Sequence, residues 1–222
     1  MATHDAVPFS SVSSGEAPVR GFIHHAQGDS LGSIVLTHGA GGNCNAPLLV
    51  ALAEQCAAVG FSVLRCDLPF RQRRPTGPPS PADSARDQEG LRRAVALMKE
   101  RFGGRAFLGG VSYGGRQASM LVAAEPALVE GLLLLSYPLH PPGRPAQLRT
   151  AHFPKLQTPV LFASGTRDAF GSTEELQAAI KLIPARTRLL PIEGAAHGLM
   201  HKSNRADLPG RIVGDFQEFF AR

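Results

Sequence analysis

The chain has 222 residues, 43% of them hydrophobic, and 23 lysines and arginines against 18 acidic residues give a net charge of +5. A chain of this length can bury enough surface to fold without disulfide or metal staples, and no apolar run approaches the roughly 18 residues of a membrane helix. The arginines are mostly scattered, with one cluster at Arg71, Arg73 and Arg74 and Arg65 nearby; no zinc-finger, RNP or basic-helix pattern accompanies them, so a solvated basic surface is expected and no specific nucleic-acid partner. The N-terminal MATHDAVPFSSVSSGE lacks the basic and apolar segments of a secretory signal. Cys44, Cys56 and Cys66 are odd in number and lack metal-ligand spacing, which suits reduced thiols in a cytoplasm, and neither a metal nor a cofactor is expected.

In chain order, two short edge strands are expected near Phe9–Ser13 and Arg20–His24, followed by a strand at Ser33–Thr37. Leu49, Leu52, Ala53 and Cys56 then recur at helical spacing and predict a helix over 46–59. Phe61–Cys66 reads as a strand. The next stretch holds Pro75, Pro78, Pro79 and Pro81 and reads as a loop over 71–85. Leu91, Ala94, Val95 and Met98 restore a helical stripe; Arg105–Gly109 is a strand, 114–124 a helix, and Gly131–Ser136 the most continuously apolar run. Val160–Ala163 and Thr187–Ile192 are strands on either side of a helix at Thr173–Leu182. A last helix carries Ile212, Phe216, Phe219 and Phe220.

Short apolar strands alternating with amphipathic helices specify a mostly parallel sheet covered on both faces. A single α/β domain over 1–222 is expected, with its core in 30–222. Ligands of such sheets bind at the carboxyl ends of the strands.

Gly110-Val111-Ser112-Tyr113-Gly114 fits G-x-S-x-G and stands between a predicted strand and a predicted helix. Glycines there let strand and helix close tightly under a projecting hydroxyl, and the helix N-terminus favours developing negative charge. Read alone, the pentapeptide could also be a glycine turn with an incidental serine. A serine hydroxyl needs a base to take its proton, and two residues downstream fit the order serine, acid, histidine. Asp168 follows the strand at Val160–Ala163, and His197 follows the last strand. Asp67 is the alternative acid and His201 the alternative base. His140 is expected to line the pocket, whereas His24, His25 and His152 read as ordinary polar positions. After the strand Ser33–Thr37 comes His38-Gly39-Ala40-Gly41-Gly42-Asn43. It lacks the Gly-Lys-Ser/Thr ending of a P-loop. His38 reads as a loop-orienting residue and Cys44 as a small filler.

The segments LTHGAGGN, LGGVSYGGR, LLLLSYPLH, ASGTRD and EGAAHG together resemble the small, uncapped, dienelactone-hydrolase-like branch of the α/β-hydrolases. Within it, the chain is similar to the hydrolase-like domain shared by bacterial predicted hydrolases, a testis-expressed vertebrate protein and a histone-acetylation complex subunit. The resemblance spans roughly residues 30–220. It implies the α/β-hydrolase fold with minimal or no cap, and a serine hydrolase with Ser112 as nucleophile, Asp168 as acid and His197 as base. Dienelactone hydrolases proper carry cysteine at the Ser112 position. The backbone N–H groups of Ala40 and Tyr113 would form the oxyanion hole. A small acyl substrate is implied, a carboxylic ester first and an amide, thioester or peptide next. The other class of reading is a non-catalytic interaction domain that keeps the fold.

The proline-stiffened span from Ser136 to Pro159 is too short for a helical lid. An open pocket is therefore expected, roofed by this span and by the loop 71–85. Arg71, Arg73 and Arg74 could there receive an anionic substrate group; the alternative is a solvated loop.

Overall fold

The computed structural model describes residues 6–12 and 17–221; Ser13, the last residue of the first expected strand, lies outside them. Eight strands form one sheet: β1 Val7–Ser11, β2 Val19–His24, β3 Gly32–Thr37, β4 Phe61–Asp67, β5 Ala106–Val111, β6 Gly131–Leu135, β7 Val160–Gly165 and β8 Thr187–Ile192. Their order is β1-β2-β4-β3-β5-β6-β7-β8. The first two pair antiparallel and the other six run parallel.

The helices are α1 Pro47–Ala58, α2 Pro69–Arg73, α3 Ser84–Phe102, α4 Tyr113–Ala124, α5 Thr173–Ala179 and α6 Leu208–Phe220. Side chains alternate across each strand, so β6 sends Leu132 and Leu134 to one face and Leu133 and Leu135 to the other. The first face packs against α3, α4 and α5. The second packs against α1 and α6, where Phe107, Phe216 and Phe220 meet with ring centroids 4.8–5.1 Å apart. Both faces being covered explains why the central strands read as unbroken apolar runs.

Two elements differ from the sequence reading. The segment 71–85 is not all loop, because α2 starts at Pro69 and runs on to Arg73, and a 3-10 turn spans Pro81–Asp83. Proline at a helix start surrenders no hydrogen bond, so it does not forbid these short turns. The third helix begins at Ser84, well before its apolar stripe, since its first two turns (SARDQEG) are polar. They are fastened instead by Asp87, whose Oδ1 accepts the Phe70 N–H at 2.9 Å.

Between β6 and β7 the chain forms only a 3-10 turn at Phe153–Lys155, so no helical lid covers the strand ends. No helix among the described residues is long and apolar enough to cross a membrane.

Candidate active site

Ser112 stands between β5 and α4 with φ 51° and ψ −114°, a strained conformation for a residue with a side chain. The flanking glycines are required by contact. A Cβ on Gly110 would lie 2.6 Å from Gly114 C, and one on Gly114 would lie 2.4 Å from the His38 carbonyl oxygen. The Ser112 N–H donates to Leu135 O at 2.8 Å, which anchors the turn to β6.

His197 Nε2 lies 2.8 Å from Ser112 Oγ, and His197 Nδ1 lies 2.8 and 3.0 Å from the two carboxylate oxygens of Asp168. A carboxylate only accepts, so Nδ1 carries the proton and the Nε2 lone pair faces the serine hydroxyl. Asp168 is buried, whereas the His197 side chain is 29% exposed. Phe170, two residues past Asp168, donates its N–H to Asp168 Oδ1 at 2.8 Å and stacks its ring on His197 at 4.1 Å. The Arg167 N–H donates to Ala195 O at 2.9 Å, tying the acid loop to the histidine loop. Sequence offered no signal for Phe170, because its partner sits on a different loop. Asp67 makes no contact with His197: its Oδ1 accepts the Cys44 N–H at 2.7 Å and lies 3.6 Å from His38 Nε2.

That loop passes over the serine, since a Cβ on Gly39 would sit 3.3 Å from Ser112 Cβ. His38 is fully buried, and burial lowers its pKa. Its Nε2 accepts the Leu68 N–H at 3.1 Å, which leaves Nδ1 to donate to Gly39 O at 2.8 Å. The described peptide bonds are trans, so holding the Gly39 carbonyl turns the Ala40 N–H the opposite way. The Tyr113 N–H opens α4 and has no intrahelical acceptor. The Tyr113 ring is fixed by a 2.8 Å hydrogen bond from its hydroxyl to Asp87.

The arginines of the cluster divide, with Arg73 and Arg74 exposed on a solvated loop and Arg71 folded inward. Arg71 is buried, and its guanidinium donates to four carbonyls: Gly42 and Ala40 at 2.8 Å, Gly77 at 3.0 Å and Arg74 at 3.1 Å. Arg73 and Arg74 are spent on Asp83. Arg65 is also buried, donating to His24 Nε2, Cys44 O and Asn45 Oδ1. Sequence could not separate these arginines, because carbonyl partners leave no compositional trace.

His24 and His152 are likewise not ordinary polar positions. Burial first, and then Arg65 and Arg116 respectively, lower both to about 4. His140 is buried and turned to Pro141 O and Glu175 rather than to the serine. Cys44 is buried, which lifts its thiol to about 12.

Two cavities meet at Ser112. The larger, about 830 Å³, is walled by Leu48, Val111, Phe170 and Met200 and edged by His201, Lys202 and Arg205. Its roof is thus the segment after His197 and not the two spans expected from sequence. Those spans instead bound a second cavity of about 520 Å³, with Pro78–Pro81 on one side and Pro138 and Arg149 on another.

The family model described as "Alpha/beta hydrolase domain" matches residues 31–208. Among solved structures, Est1E from Butyrivibrio proteoclasticus superposes with TM-score 0.77 at 17% identity, covering 97% of this chain and 100% of its own. A dienelactone hydrolase from Anabaena variabilis gives 0.74 at 20% identity, with 97% and 99% covered. XC6422 from Xanthomonas campestris, described as an α/β serine hydrolase without lid, gives 0.73 at 16% identity, with 98% and 96% covered.

Proposed function

The chain belongs to the α/β-hydrolase domain family, and on that premise we propose that it is a serine hydrolase cleaving small carboxylic esters through an acyl-enzyme. One observation carries the reading: His197 is hydrogen-bonded to Ser112 on one nitrogen and to the buried carboxylate of Asp168 on the other. The structural neighbours include a dienelactone hydrolase and an α/β serine hydrolase, which supports ester chemistry.

In this reading, Ser112 Oγ attacks the ester carbonyl carbon as His197 Nε2 takes its proton. Asp168 stabilises the resulting imidazolium. The carbonyl oxygen becomes an oxyanion that accepts from the N–H groups of Ala40 and Tyr113. Collapse breaks the C–O bond to the alcohol, which receives the proton from Nε2. Water then attacks the acyl-enzyme, giving its proton to His197, and departure of Ser112 Oγ, reprotonated from Nε2, releases the acid. Water is the only co-reactant. The walls of the larger cavity are apolar enough to seat a short acyl chain or an alcohol.

The test is labelling by a fluorophosphonate together with hydrolysis of 4-nitrophenyl acetate and butyrate. Labelling and turnover that both vanish in Ser112→Ala support the reading. A folded native protein that resists the probe and cleaves neither ester sinks it.

A further inference from the structure

The second cavity has a chemical bias that the hydrolytic steps leave unused. Arg116 lies one turn into α4, and its backbone N–H donates to Ser112 O at 2.9 Å. Long helical side chains lie back over the preceding turn, and Arg116 and Ser112 line the same cavity. Arg149 comes from the β6–β7 connection, and both arginines line the cavity with Gln117.

This pocket is rich in donors and poor in acceptors. Among the described residues, Arg116 and Arg149 have no acidic partner, whereas Arg73, Arg74, Arg92 and Arg188 each pair with a carboxylate. Arg116 Nε is buried without a hydrogen-bond partner. So is Gln117 Nε2, while the amide oxygen of Gln117 accepts from Ser84 and Gln88. The Arg149 side chain has one long hydrogen bond, 3.4 Å to Pro138 O. Burial first and the facing Arg116 next hold Arg149 below the usual guanidinium range. The nearby Tyr113 hydroxyl is committed to Asp87. Buried donors without partners are costly, and two like charges facing each other add to the cost. An anionic acceptor would relieve both.

We propose that this cavity is a carboxylate subsite, in which Arg116 and Arg149 grip a free carboxylate on an ester substrate whose carbonyl meets Ser112. A carboxylate can accept two parallel bonds from a guanidinium, which makes such grips strong and directional. The inference rests on the ester-hydrolase reading for its chemistry but not for its binding, and the two are tested separately.

The probes are two matched pairs: 4-nitrophenyl hydrogen glutarate against 4-nitrophenyl valerate, and 4-acetoxybenzoate against its methyl ester. They set the carboxylate on the acyl side and on the alcohol side in turn. The native protein is expected to favour the charged member of at least one pair by about tenfold or more in kcat/KM. That ratio should fall toward one in Arg116→Gln and Arg149→Gln. Titration calorimetry on Ser112→Ala, which cannot turn over, should give the same preference as a ratio of Kd values. Tighter binding of the charged ester without any native hydrolysis keeps the subsite and removes the esterase. Equal or better use of the neutral ester in both pairs overturns the subsite, as does a preference that survives both substitutions. The ratio in the native protein decides the matter even where a variant fails to fold.

Discussion

Arg71 Nη2 lies 2.8 Å from the carbonyl oxygen of Ala40 and also donates to Gly77 O, while Nε holds Gly42 O and Nη1 holds Arg74 O. One buried side chain thus ties the loop over Ser112 to the segment that follows α2. The Ala40 amide must keep its place if it is to meet a developing oxyanion. Arg71→Ala is expected to lower kcat by about ten- to a hundredfold with a smaller change in KM, because a displaced donor is lost mainly in the transition state. Arg71→Lys, with three donors and no planar fork, should recover only part of it. Steady-state kinetics on 4-nitrophenyl butyrate measure both; a KM effect alone would contradict this role.

Asp168 and Asp67 offer a direct comparison of two carboxylates at strand ends. Asp168→Asn should cost roughly three to four orders of magnitude in kcat, since the amide favours the wrong histidine tautomer. Asp67→Asn keeps an amide oxygen to accept the Cys44 N–H and removes only the charge, so it should change kcat less than about tenfold. Equal losses in the two variants would remove Asp168 from the proposed machinery.

Gly114 is packed against the backbone of the loop 38–43, where an added Cβ would lie 2.4 Å from His38 O and 2.7 Å from Thr37 Cγ2. Neither atom is the end of a flexible side chain, so loop and elbow must part. Gly114→Ala should destabilise by about 2–4 kcal/mol, a Tm drop of roughly 5–15 °C, and abolish fluorophosphonate labelling. A variant with native Tm and native labelling rate would refute the contact argument.

His24 couples stability to acid. Burial holds it near 4 in the folded protein against 6.5 for the ordinary side chain. Below pH 6.5 the unfolded chain therefore takes a proton that the folded protein refuses. Stability is full above pH 6.5 and is lost as pH falls from there through about 4. His24→Gln keeps an acceptor for Arg65 but cannot titrate, so its Tm should fall less between pH 7 and pH 4.5 than that of the native protein. The comparison is of slopes, because the substitution itself lowers Tm at neutral pH; parallel slopes would exclude His24 as the titrating group.

The order of strands and helices was legible because side-chain period is a local property of backbone geometry. Two covered faces make strands continuously apolar, as at Gly131–Leu135, and one covered face gives a helix its stripe, as at Leu91–Met98. The polar start of α3 and the proline-led α2 escaped that logic, having no apolar period to read. The three residues picked out by chain order and strand ends, Ser112, Asp168 and His197, are also the three in mutual hydrogen-bond contact. Their spacing in sequence carries them only to one edge of the sheet; the 2.8 Å contacts depend on how the loops beyond β5, β7 and β8 pack.

The partners of the buried cations were decided by tertiary structure alone. In sequence, Arg65 lies near the basic cluster that holds Arg71; folded, Arg65 serves His24 and Cys44 while Arg71 holds four carbonyls. Arg116 and Arg149 are far apart along the chain and face each other across one cavity beside Ser112. A charge in a sequence shows its sign but not its solvent. Whether it meets water, a carbonyl or another charge is settled by which distant segments close around it, and here that closure buries two arginines as struts and sets two others in the wall of a cavity beside Ser112.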